Sequence, residues 1–151
     1  MLKRAGICIA TLSFLVIIGL PIAQAQGTKT MTAQVPFDFY VRDRVLPAGT
    51  YEVTALSADG ALLRISRVDG DDAVSVITNS AQADRRHEAS ARLIFRRYDD
   101  QYFLAAAWRD ADNGRELSRT SRERSLVKER ALAARATRPE VVTVAATFGD
   151  N

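Results

Sequence analysis

The sequence predicts an all-β or β-rich α+β domain: about seven antiparallel strands in a partly closed barrel or sandwich, with one C-terminal helix. Three observations carry that expectation. Between Met31 and Trp108, runs with apolar residues at period two alternate with turn residues roughly every eight to twelve positions, the rhythm of an all-β chain. After Trp108 the composition changes to an Arg-, Glu- and Ala-rich stretch that ends before Pro139, as a helix would. Residues 141–146 then return to β-branched character.

Taken in order, the first strand is expected over residues 35–41, with Phe37, Phe39 and Val41 on one face. Leu46-Pro47-Ala48-Gly49 reads as a turn, because proline presets φ and glycine tolerates positive φ. Residues 50–56 follow as a strand with Tyr51, Val53 and Ala55 on one side. Asp59-Gly60 is a hairpin signal leading into residues 61–68, where Leu63 and Ile65 face inward. Asp69-Gly70-Asp71-Asp72 makes the next turn, residues 74–79 the next strand, and the polar residues 80–90 a loop. Residues 91–98 and 101–108 form a hairpin around Asp99-Asp100, with Leu93 and Phe95 facing Tyr102, Leu104 and Trp108 across the core.

Asp110-Ala111-Asp112-Asn113-Gly114 is a turn. Thr120 with Glu123 three positions on fits a capping box, so a basic helix is expected at about residues 121–137. Its apolar stripe, Val127, Ala131 and Ala134, is narrow and small, so the helix either lies lightly on the sheet or projects. Residues 141–146 supply the closing strand.

The first 25 residues have the three zones of a cleavable signal peptide. Lys3 and Arg4 lead an apolar run over residues 7–22, and Ala23-Gln24-Ala25 is a small-residue cleavage site. The run is shorter than the roughly 20 residues of a membrane span. Cleavage leaves residues 26–151 as a single β-rich domain, exported to the periplasm or the medium, with no transmembrane span. Cys8, the one cysteine, leaves with the signal, so the mature chain forms no disulfide and offers no thiolate. Removing Lys3 and Arg4 from 21 basic residues leaves nineteen against 18 acidic ones, so the formal charge of +3 does not indicate nucleic-acid binding.

The chemistry of enzymes is sparse. His87 is the single histidine and stands in a polar loop, which excludes the zincin pattern and most triads. No G-x-S-x-G elbow is present. Asp110-x-Asp112 resembles the start of a calcium loop, but Gly114 occupies the fifth position and Ser121 the twelfth, so ordinary turn chemistry explains it. No catalytic residue, cofactor or metal site is therefore assigned, and the chain is read as a non-enzyme.

One surface feature points to a partner. From Arg115 to Arg138 eight basic residues stand against Glu116, Glu123 and Glu129, and Arg119, Arg122, Arg124, Lys128, Arg130 and Arg135 are the candidate contacts for an anionic surface. The competing reading is a solvated helix whose charges pair among themselves, Arg119 with Glu123 at i, i+4.

The stretches VPFDFYV, LPAGTYEV, ARLIFRRYDDQYFLAAAW and GRELSRTSRER resemble a family of small exported bacterial proteins with no assigned activity. Its motifs are V-P-F-D-F, L-P-A-G-x-Y, F-x-R-Y-x-x-Q-Y-F-L and G-R-E-L. The resemblance covers most of the mature chain and implies an exported β-rich domain, without bringing any site residue. Asp99 departs from it, standing where the family often has glycine.

Two functions follow as expectations. The first is an envelope or extracellular interaction protein that meets an anionic envelope component or a protein. The second is a carrier of a small apolar molecule in a barrel lined by Phe37, Phe39, Tyr51, Phe95, Tyr102, Phe103 and Trp108.

Overall fold

Side chains alternate between more and less buried along residues 31–35, 39–41, 51–53, 62–65 and 73–77, as period two requires of a strand with one wet face. The structure is a computed structural model that describes residues 30–82, 90–133 and 138–149. The signal-like residues 1–25, His87 and Arg135 lie outside the described residues. In chain order the elements are β1 (Met31–Val35), β2 (Phe39–Val41), β3 (Arg44–Leu46), β4 (Gly49–Ala55), β5 (Leu62–Arg67), β6 (Ala73–Ile77), β7 (Asn79–Ser80), β8 (Arg92–Tyr98), β9 (Gln101–Trp108), β10 (Gly114–Glu116), α1 (Ser121–Leu132) and β11 (Glu140–Phe148).

The protein is strand-rich, with a nearly closed, barrel-shaped sheet and one C-terminal helix. Strands neighbour one another in the order β3-β2-β9-β8-β11-β1-β4-β5-β6, and β10 links β9 to β7. Pairing is antiparallel, apart from the parallel join of β2 to β9. The described residues form eleven strands instead of about seven, and short strands account for the difference. Pro36, which has no N–H for a ladder, divides the expected first strand into β1 and β2. Asp38 accepts a hydrogen bond from the Ala48 N–H (2.8 Å) and ties that break to the next turn. β3 and β10 are three-residue strands beside turns, too short to show a period.

The interior is filled by rings. Phe37 stacks on Tyr102 with centroids 3.9 Å apart and meets Phe95 edge-on at 5.2 Å, while Phe39 meets both Tyr51 and Phe95 edge-on. Burying each such side chain stabilises the fold by roughly 1.5–3 kcal/mol. Trp108 does not join them, contrary to expectation. A β-bulge lies where Ile94 pairs with Ala106 and Phe95 with Leu104, leaving Ala105 as an extra residue. That residue reverses the facing of everything after it. Ala107 therefore takes the interior position opposite Leu93, and Trp108 turns outward beside Arg92, whose guanidinium lies 5.0 Å from the indole. Gly114, paired with Trp108, lets the ring approach so closely that a Cβ there would stand 2.5 Å from it.

Candidate functional site

β9 is buried on both faces from Phe103 to Trp108. The helix docks by a carboxylate. Glu123, only 1% exposed, accepts hydrogen bonds from Arg96 Nε (2.6 Å) and Nη2 (3.1 Å) and from the Tyr98 hydroxyl (3.2 Å). Burial first, and then the Glu123 charge, hold the Tyr98 hydroxyl above its ordinary pKa of 10.0. Thr120 caps the helix, its hydroxyl accepting from the Glu123 N–H at 3.1 Å. The expected capping box is only half made, since the Glu123 side chain turns to the sheet instead of back to the cap. Ala131, expected in the docking stripe, is exposed; Glu123, Leu126, Val127 and Arg130 are the helix residues shielded from solvent. Their spacing is helical, but two of the four are charged, so an apolar-periodicity reading passes over them. Instead of lying lightly or projecting, the helix is clasped to the sheet.

That clasp divides the predicted arginines. Arg130 pairs with Asp99 in the β8–β9 turn. Arg122 lies 4.7 Å from the Tyr40 ring, which itself stacks on Phe103. Lys128 is exposed on the helix. Arg119 approaches Glu123 at 3.6 Å, as the i, i+4 spacing suggests, and Arg124 donates to the Arg119 carbonyl and the Ser121 hydroxyl. These last two also line an open cleft.

The cleft is at the seam of the barrel. Its volume is about 480 Å³, and among the described residues its rim carries Arg42, Arg119 and Arg124 against one acidic residue, Asp43. Val76, Ile77 and Asn79 form one wall, and residues 117–121 form the other. Arg42 was not a predicted contact. It occupies the two-residue turn between β2 and β3 with φ of 56°, a conformation that usually selects glycine. Distance along the chain concealed its place beside Arg119 and Arg124. A second cleft, about 240 Å³ and lined by Asp59, Arg109, Asp112 and Arg115 among others, balances two acidic residues against two basic ones among the described residues. An apolar space under Met31, Val53 and Leu63 measures about 20 Å³, roughly the room of a single water.

No family model, curated protein or solved structure matches the chain.

Proposed function

We propose that this chain is an exported, non-catalytic interaction protein of the periplasm or cell exterior, whose partner is an anionic envelope component or acidic protein held at the seam cleft. The supporting observation is the convergence there of Arg42, Arg119 and Arg124, brought from separate parts of the chain to one open space whose rim, among the described residues, carries a single carboxylate. Like charges gathered around a concave wall focus a positive field and attract anions. Export is supported by the signal-like first 25 residues and by the resemblance to small exported proteins. Among the described residues, no helix is long and apolar enough to cross a membrane. The carrier reading has less support, because the interior rings pack against one another at centroid distances of 3.9–5.3 Å.

Binding of the purified protein to labelled poly-L-glutamate and to phosphatidylglycerol vesicles tests this. Replacing Arg42 by Gly and both Arg119 and Arg124 by Gln should weaken binding about tenfold, at 0.2–1 kcal/mol for each exposed ion contact. Salt should weaken the parent's binding and have less effect on the variant's. Equal binding by the two proteins to both probes would overturn the proposal.

A further inference from the structure

We infer that the seam cleft takes an extended acidic peptide, which adds to the barrel as a strand along the outer edge of β6; this rests on the anion-binding reading above. The β5–β6 ladder sets which peptide groups are spent. The Arg67 N–H donates to the Asp72 carbonyl (2.8 Å), and the Thr78 N–H to the Ala61 carbonyl (2.7 Å). Hydrogen-bonded pairs alternate along an antiparallel ladder. Asp72, Val74, Val76 and Thr78 therefore bond toward β5, while Ala73, Ser75 and Ile77 point their N–H and C=O groups to the seam. The ends of this edge are occupied. Ala73 accepts from Arg44 Nη1 (3.0 Å), and Asn79 and Ser80 pair with Glu116 and Arg115 of β10.

Between those ends no strand lies beside β6 among the described residues, since β6 closes the path of the sheet. Continuing the β10 register would set Ser118 opposite Ile77 and Thr120 opposite Ser75, but β10 stops at Glu116 and the chain turns away to cap α1. The gap from Ala73 to Asn79 is about 20 Å at strand rise, a length for about six extended residues. Exposed edges are ordinarily blunted by charge, proline or a bulge. Ala73-Val74-Ser75-Val76-Ile77 has no charge and no proline, and Ile77 is 72% exposed.

Charge selects the occupant. A second copy paired through β6 would bring two sets of Arg42, Arg119 and Arg124 together. A peptide with carboxylates meets those arginines instead, while its backbone satisfies Ser75 and Ile77, as in other cases of strand addition.

The test is fluorescence titration of the purified protein with a labelled acetyl-(Glu-Val)₃-amide and with the same peptide N-methylated at alternate amides. The unmethylated peptide should bind, and methylation should weaken it at least tenfold. Ile77→Pro should do the same, because that N–H faces the seam and is not used by β5; Ser75→Pro is a second variant, and an unchanged melting temperature shows that either still folds. If methylation and both prolines are without effect while the arginine variant still loses poly-L-glutamate binding, strand addition is overturned and the anion site stands. If the arginine variant binds every probe like the parent, the anion site itself falls. Concentration-dependent dimerisation abolished by Ile77→Pro, with no peptide binding, would assign the edge to a second copy and overturn the peptide.

Discussion

On its barrel side, β9 contributes Leu104 and Ala107 to a cluster built around Phe39, Tyr51 and Phe95; on its helix side, Phe103 lies against Tyr40 and Tyr98, and the layer closes on the carboxylate of Glu123. The first face is held by non-directional burial, which tolerates rearrangement so long as volume is conserved. The second depends on one charge having all its partners in place, where the loss of one leaves another stranded. The two sides of one strand are thus secured by chemistries that respond differently to mutation and to pH.

The largest expected effect is on the barrel side. Phe95→Ala removes a ring that meets both Phe37 and Phe39, and should cost about 4 kcal/mol in urea unfolding. A loss below about 2 kcal/mol would show an interior that collapses easily, and the distinction between the faces would weaken.

Glu123→Gln should cost somewhat less, about 3 kcal/mol, because Arg96 keeps its charge with its side chain only 12% exposed. The pair Arg96→Met with Glu123→Leu should lose much less than the two single changes together, since no charge is then left buried. Additive losses in that double-mutant cycle would mean that the clasp is ordinary packing.

The smallest effect separates two buried tyrosines. Tyr51, whose hydroxyl donates to the Pro47 carbonyl at 2.6 Å, and Tyr98 both ionise above the ordinary 10.0, chiefly through burial. A raised native pKa means that the folded state holds its proton more tightly than the unfolded one. Each contribution is complete below pH 10 and is lost as pH rises through the raised value. Ultraviolet titration should show both ionising late, with unfolding easier across that same range. Glu123→Gln should lower the Tyr98 pKa, because the Glu123 charge helps to raise it, and leave that of Tyr51 in place. Movement of Tyr51 as well would show that the two faces are coupled.

Legibility followed the same division. The alternation of Tyr51 with Val53, and of Leu63 with Ile65, marked interior positions because burial is repeated every second residue. The Asp99-Asp100 turn was legible too, and Asp99 adopts φ of 51°, a left-handed conformation that favours glycine. The outward turn of Trp108 was hidden, because a bulge depends on two strands and leaves no mark on either alone. The docking of α1 was hidden because a buried glutamate looks like a solvated one until Arg96 and Tyr98 are beside it. Of the seam, Arg119 and Arg124 were marked by local charge density, while Arg42 and the edge of β6, beside which no strand lies among the described residues, were not.

The sequence by itself determined the β-rich class, the inward residues of β4 and β5, the cap at Thr120 and the basic character of the helix, because each depends on neighbours a few positions away. Tertiary structure alone decided which strand closes on which, which arginines are spent on Asp99 and Tyr40, and which gather at the seam. Those outcomes depend on contacts between residues far apart in the chain, whose geometry exists only once the sheet has curved on itself.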